Sequence, residues 1–137
     1  MYTHILVTLE NSVTDEAILT HIRPLAKLTG ARLTLIHVAD GFMARNQKYL
    51  GESVEMQEDK AYLEKTVKQL QSEGFVARAI LATGEPAKQI LECSDQDGCD
   101  LIAMSTHGHR GLSDLILGSV ADDVRHKTRI PVLLIRG

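Results

Sequence analysis

The sequence of 137 residues has no tryptophan and only two phenylalanines and three tyrosines. So few aromatic rings provide little surface on which the bases of a single-stranded nucleic acid could stack. There is no excess of basic residues either, because 15 lysines and arginines stand against 18 aspartates and glutamates, for a formal net charge of −3. Binding to duplexes or acidic membranes depends on clustered basic side chains. The composition therefore argues against such surfaces, although a small local phosphate site remains compatible with it.

Cysteine is scarce, and long apolar runs are missing. Cys93 and Cys99 do not have the CxxC spacing of a redox or zinc pair, so we expect free thiols, with Cys93 packed on a helix and Cys99 partly exposed. No segment approaches the ~20 apolar residues of a membrane span, and the apolar run 5–9 is too short for the core of a signal peptide. We therefore predict a cytoplasmic protein.

The composition, with 44% hydrophobic and 24% charged residues, fits one globular domain over residues 1–137.

Several glycines mark the boundaries between predicted elements. Gly30, Gly74 and Gly98 each follow a helical pattern and precede an apolar run, which is typical of glycines that end helices. The predicted strands are 5–9, 32–38, 76–81, 101–104 and 132–135. The first predicted helix starts at the capping residues 11–14 and ends near Leu28. The second spans 53–72, the third starts at 85–87, and the fourth starts at 118–119.

Apolar strands that alternate with helices are typical of a parallel sheet covered on both faces. The predicted fold class is therefore α/β, a doubly wound five-stranded parallel sheet with strand order 3-2-1-4-5 and helices on both faces. In such sheets ligands bind beyond the carboxyl ends of the strands, where the strand order reverses. Here that point lies between the first and fourth strands, so the loops 8–12 and 105–119 are the candidate site.

The second of these loops is rich in glycine, hydroxyl groups and histidine, and it closes with Gly118 and Ser119 at a helix start. Glycines let backbone N–H groups approach phosphate oxygens, and a helix N-terminus adds partial positive charge. The alternative is that a loop between a strand and a helix needs small polar residues in any case. His107 and His109 lack a third ligand at motif spacing, which disfavours zinc in this loop.

Three other α/β families fit the chemistry poorly. A receiver domain needs an acidic phosphoacceptor after its third strand, and residues 81–84 supply none. A flavodoxin needs aromatic rings near the flavin, which the later loops lack. A P-loop NTPase needs GxxxxGK[ST], and no such run exists in the sequence.

The chain resembles the universal stress protein family over essentially its whole length. The family signature is a glycine, two residues, a glycine, nine residues, and then glycine followed by serine or threonine. Four residues occupy these places: Ser105, Gly108, Gly118 and Ser119. The first strand with its acidic turn, 5–12, and the segments 84–87 and 131–135 also match the family. The fold that this resemblance implies is adenine nucleotide alpha hydrolase-like.

In nucleotide-binding members of the family, the first turn and the second strand hold the nucleoside, and the glycine motif holds phosphates. Carried over, the nucleoside contacts are Thr8, Leu9, Glu10 and Val38. The residues implied at the end of the fourth strand and around the phosphates are Met104, Ser105, His107, Gly108, Gly118, Ser119 and Val120. This sequence departs from the family in having Ser105 for the first motif glycine and Glu10 for the usual aspartate.

The resemblance implies a stress-response or regulatory module that binds ATP, or AMP or another adenine nucleotide, with Mg²⁺ as an accompanying ion whose ligands the sequence does not identify. We predict little or no efficient hydrolysis, no catalytic residues, and no nucleic-acid or membrane partner. The resemblance also implies a homodimer, and the short apolar strand 132–135 is a sheet edge that pairing would cover. The alternative hypothesis is a nucleotide-free homodimer that acts through protein contacts.

Overall fold

The computed structural model describes residues 1–40, 54–106 and 119–137, without the side chain of Asp40. Strands and helices alternate through these ranges. The strands are β1 (His4–Thr8), β2 (Arg32–Asp40), β3 (Ala77–Gly84), β4 (Leu101–Ser105) and β5 (Val132–Ile135). The helices are α1 (Thr14–Thr29), α2 (Val54–Ser72), α3 (Pro86–Asp97) and α4 (Ser119–Lys127).

The five strands form one parallel sheet in the order β3-β2-β1-β4-β5. The predicted fold class and strand order are therefore confirmed. In the centre of the sheet, Val7 of β1 pairs with Leu35 on one side and with Ala103 on the other. This arrangement places the reversal of strand order between β1 and β4, so the carboxyl ends of β1, β2 and β4 meet at one edge.

Alternate residues of the strands face two separate hydrophobic cores. Ile5 and Val7 of β1 pack in the core that α1 and α2 cover, together with Ile18 and Leu63. Leu6 points to the other face, into a core that α3 and α4 cover. This two-sided burial explains why the strands read as nearly continuous apolar runs.

Helix ends follow the predicted glycines more closely than the predicted polar cap. Gly30 and Gly98 end α1 and α3 with left-handed φ angles of 73° and 67°. At the start of α1, however, the N-cap residue is Val13, which makes no side-chain cap bond. The N–H of Thr14, the first residue of α1, instead donates to Oγ of Ser12 at 3.4 Å. Among the described helices, none is long and apolar enough to cross a membrane.

The expectation of a partly exposed Cys99 is wrong. Its side chain is 6% exposed and packs in the core beneath α3 and α4, where Cys93 is also buried. Cys99 lies between the end of α3 and the start of β4, and that connection is packed against the interior. A neighbouring glycine and aspartate were therefore a poor guide to exposure.

Candidate functional site

The turn after β1 and the ends of β2 and β4 lie at the same edge of the sheet. Thr8, the last residue of β1, donates a hydrogen bond from Oγ1 to the Ala103 carbonyl oxygen of β4, at 3.4 Å. Leu9 continues the strand pairing on the other side, since its N–H lies 2.8 Å from the Ile36 carbonyl oxygen. These two hydrogen bonds fix the ends of β1, β2 and β4 to one another, although the three ends lie far apart in the sequence.

Two of the predicted contact residues, Leu9 and Met104, have buried side chains. A ligand beyond this edge can therefore meet them through main-chain atoms rather than side chains. For Leu9, the N–H is already paired with Ile36, and the carbonyl oxygen accepts from Nδ1 of His37 at 2.8 Å. Leu9 accordingly supports the shape of this edge.

Asp15 holds the turn that follows β1. Its carboxylate accepts the N–H of Glu10 through Oδ1 and the N–H of Asn11 through Oδ2, each at 2.9 Å. Asn11 has a φ of +57°, which is uncommon for a residue with a side chain. Asp15 is 3% exposed, so these bonds to the turn before α1 are shielded from water.

Tyr62 adds a bond to the same carboxylate from α2. Its phenol oxygen lies 2.5 Å from Oδ2 of Asp15. Burial, together with the hydrogen bond to Asp15, raises the pKa of Tyr62 above its ordinary value. The phenol therefore stays protonated and remains a donor, which links α2 to the β1 turn.

A second polar link joins the turn, β2 and α2. The Leu9 carbonyl can only accept, so Nδ1 of His37 carries a hydrogen. On the opposite side of the ring, Nε2 lies 3.2 Å from Oδ2 of Asp59. The other oxygen of Asp59 accepts from Nδ2 of Asn11 at 2.9 Å. His37 immediately precedes Val38, so this link also fixes the part of β2 predicted to meet a nucleoside.

Glu10 brings an acidic group to the exposed side of the turn. Its Oε2 accepts from the Thr14 hydroxyl at 3.1 Å, and that hydroxyl lies 2.8 Å from Oγ of Ser12. The end of β4 is close by, because a β-carbon at Gly137 would lie 2.9 Å from Cβ of Thr14 and 3.2 Å from Oγ of Ser105. The predicted residues Glu10 and Ser105 thus flank a common region.

The last described residues predicted for the site lie at the N-terminus of α4. Ser119 is the first residue of this helix and is exposed, and Val120 is half-buried. Ala121 and Val124 anchor the helix in the core. The first N–H groups of a helix have no partner inside the helix and attract anions. His107, Gly108 and Gly118, the remaining predicted contacts, lie outside the described residues.

The carboxylate of Glu10 can accept hydrogen bonds from the hydroxyl groups of a sugar. The N-terminus of α4 suits an anion. Within ranges 1–40, 54–106 and 119–137, no group of three metal-ligating side chains gathers at this edge. Four residues of the site had no motif in the sequence to reveal them: Asp15, His37, Asp59 and Tyr62. The available signals were an acidic residue in the first turn of α1 and a histidine near the end of an apolar strand.

Comparison with known proteins identifies the family and agrees with the fold. The model of the universal stress protein family matches residues 1–136. Universal stress protein MJ0577 of Methanocaldococcus jannaschii is 29% identical over 155 aligned residues, covering 99% of this chain and 96% of that protein. A solved structure of MJ0577 matches with a TM-score of 0.87 and 29% identity over 100% of this chain and 97% of that one.

Two further relatives cover nearly full lengths. Universal stress protein YxiE of Bacillus subtilis is 28% identical, over 99% of this chain and 100% of that protein. A universal stress protein from Archaeoglobus fulgidus, solved in complex with dAMP, matches with a TM-score of 0.72 and 25% identity over 98% of both chains. At least one structural relative therefore carries an adenine nucleotide.

Proposed function

Because this chain belongs to the universal stress protein family, we propose that it binds an adenine nucleotide, foremost ATP, at the carboxyl edge of its sheet. The observation that carries the proposal is the meeting of the β1 turn with the ends of β2 and β4 at one edge, and α4 is the helix that follows β4 in the chain. The A. fulgidus relative in complex with dAMP supports it.

The nucleoside half of the proposed site is built on the β1 turn and β2. Glu10 is exposed, and a carboxylate accepts hydrogen bonds from the two hydroxyls of a ribose. The Thr14 hydroxyl holds one of its oxygens, which limits the freedom that the extra methylene adds relative to aspartate. Thr8 and Val38 would contact the rest of the nucleoside, mainly through the main chain, and Leu9 would hold the edge beside it through its bonds to Ile36 and His37.

The phosphate half uses the N-terminus of α4. Ser119 and Val120 would supply main-chain N–H groups, and the Ser119 hydroxyl is a further donor. Asp122 lies in the first turn, but Arg125 pairs with it at 2.7 Å, and this hydrogen bond lowers the pKa of the Asp122 carboxyl. The other contacts of the proposal are Met104, Ser105, His107, Gly108 and Gly118.

We further propose a regulatory or stress-response role in the cytoplasm with little hydrolysis. The sequence lacks the P-loop lysine that reaches the outer phosphates. Mg²⁺ would bind together with the nucleotide, held mainly by phosphate oxygens and water molecules, as is common for this ion. No catalytic residue is assigned.

The direct test is the identity of the bound molecule. Mass spectrometry of ligand released from freshly purified protein should detect an adenine nucleotide, and calorimetry should show binding of ATP, with AMP, dAMP and cAMP as comparisons. Absence of binding to all four would overturn the proposal and favour a nucleotide-free protein that acts through protein contacts.

Replacing Glu10 with glutamine should weaken ATP binding by about tenfold, because a hydrogen bond to a charged group contributes roughly 1.5 to 3 kcal/mol. Calorimetry measures this change. The matched control is Glu16→Gln, which removes the same charge from an exposed position on α1 and should leave the affinity unchanged. Equal affinities for the two variants would show that Glu10 does not contact the ribose.

We also propose that β5 pairs two copies of the chain. β5 lies at the edge of the sheet, and Leu134 is 40% exposed, so pairing would cover an apolar side chain and unpaired backbone groups. Sedimentation at micromolar concentration should show a dimer for the native chain and a monomer for Leu134→Lys. A native chain that sediments as a monomer would contradict this assembly.

A further inference from the structure

The opposite edge of the sheet contains a second cluster of side chains, independent of the proposed nucleotide site. His4 begins β1, Asp97 ends α3, and Cys99 lies between α3 and β4. One potential ligand atom from each of these three residues lies within 4.8 Å of the other two. Within the described part of the chain, this is the only such group of three.

The hydrogen bonds of His4 determine which ring nitrogen has a free lone pair. The Thr34 hydroxyl donates its single hydrogen to Oδ2 of Asp97 at 3.0 Å. Its oxygen therefore accepts from Nε2 of His4, which lies 2.6 Å away. In the neutral ring, Nδ1 is left as a bare acceptor.

Nδ1 of His4 is also buried without a partner. The side chain is 6% exposed, and Nδ1 is the only buried side-chain polar atom in the described residues that lacks a hydrogen bond. Native proteins leave few such atoms unsatisfied. A histidine whose other nitrogen donates to a neighbouring oxygen is in the form that metal-binding histidines commonly have.

We propose that His4, Asp97 and Cys99 form a zinc site. A thiolate, an imidazole and a carboxylate together suit Zn²⁺, whereas Mg²⁺ prefers oxygen ligands alone. Ligand atoms of a tetrahedral zinc ion that binds one sulfur lie about 3.3 to 3.6 Å apart, so ligand atoms separated by up to 4.8 Å in this cluster move closer together when the ion binds. Three protein ligands leave the fourth position for a water molecule.

Metal binding at Cys99 depends on pH because a thiol has to lose its proton before its sulfur binds a metal ion. Zn²⁺ displaces this proton into solvent as the zinc–sulfur bond forms. Binding should strengthen as pH rises, with one proton released for each Zn²⁺ bound.

The carboxylate of Asp97 is ready for a cation without losing a proton. It accepts hydrogen bonds from Arg78 and from the Thr34 hydroxyl, and a carboxyl group is ionised at neutral pH. Arg78 is an ion-pair partner of this carboxylate and is mostly exposed itself. Its guanidinium competes with a metal for the same group, so Arg78→Gln should increase the affinity for Zn²⁺ several-fold.

The test uses the full-length native protein with Co²⁺ as a spectroscopic probe and Zn²⁺ as competitor. We expect one Co²⁺ per chain, a sulfur-to-cobalt charge-transfer band in the near-ultraviolet, and loss of that band when Zn²⁺ is added. Calorimetry in buffers of different ionisation enthalpy counts the released protons. No charge-transfer band in the native protein would overturn the proposal without any substitution.

Two cysteine variants provide a matched comparison. Cys99→Ser should abolish the band, while Cys93→Ser, which alters another buried thiol of the same core, should retain it. His4→Gln should weaken Co²⁺ binding at least tenfold. A band that survives in Cys99→Ser, or that disappears in a folded Cys93→Ser variant, would contradict the assignment. Circular dichroism establishes that each variant is folded.

Discussion

Replacing Asp15 with asparagine is expected to lower the free energy of unfolding by about 2 to 4 kcal/mol. The native carboxylate accepts hydrogen bonds from the N–H groups of Glu10 and Asn11 and from the Tyr62 phenol. An asparagine side chain has one acceptor oxygen, and its NH₂ group would face a donor. Each buried donor left unsatisfied costs about 1 to 3 kcal/mol. Urea denaturation measures the loss.

The same substitution should weaken ATP binding at least tenfold under conditions in which the variant is still folded. Asp15 holds the turn that presents Glu10, and Asn11 keeps its positive φ within that turn. Without the two main-chain bonds the turn relaxes and the acidic group moves away from the proposed ribose position.

Two controls separate this effect from simple loss of charge or of one bond. Glu16→Gln removes a negative charge one residue further along α1, at an exposed position, and should change stability by less than about 0.5 kcal/mol. Tyr62→Phe removes one of the three donors but leaves the turn bonds intact, and should cost about 1 kcal/mol. An Asp15→Asn variant as stable as Glu16→Gln would show that the carboxylate does not hold the turn.

The sheet could be predicted from sequence because each buried parallel strand needs an apolar run. Runs such as 101–104 are short, rich in aliphatic residues and preceded by a glycine that ends a helix, and a strand was found at each predicted place. Strand ends were less certain: β2 and β3 continue to Asp40 and Gly84, beyond the apolar residues. Backbone pairing between neighbouring strands, as between Asp40 and Gly84, extends a strand where its composition no longer favours it.

The position of the candidate site could also be predicted, since a parallel sheet gathers the carboxyl ends of its strands. The supporting side chains could not. Tyr62 and Asp15 are 47 positions apart and meet only because α1 and α2 cover the same face. The same holds for His4 and Thr34, which are 30 positions apart. Motifs report spacing along the chain, so contacts between elements leave no regular pattern in the sequence.

The zinc cluster illustrates this limit most clearly. Cys93 and Cys99 lack metal-binding spacing in the sequence, and the proposed ligands pair only one of them with residues from β1 and α3. The two edges of the sheet also differ in chemistry. The carboxyl edge presents the exposed carboxylate of Glu10, where we propose that a nucleotide binds. The amino edge places nitrogen, oxygen and sulfur ligand atoms close to one another.

Replacing Gly118 with valine is expected to abolish ATP binding. Gly118 immediately precedes Ser119, where α4 begins, and the family resemblance assigns this glycine to the phosphates. Phosphate recognition at a helix N-terminus requires close approach of the ligand to the main chain, and a β-branched side chain adds bulk there. The expected result is no measurable heat of binding for ATP in calorimetry.

A graded series shows whether steric bulk is the cause. Gly118→Ala adds one carbon and should reduce ATP affinity less than Gly118→Val, while Glu16→Gln should retain native affinity. Circular dichroism and the thermal midpoint should remain near native for both glycine variants, because the core residues of α4 are Ala121 and Val124. Unchanged ATP affinity in a folded Gly118→Val variant would rule out phosphate binding at this helix start, and any nucleotide that still bound would have to place its phosphates elsewhere.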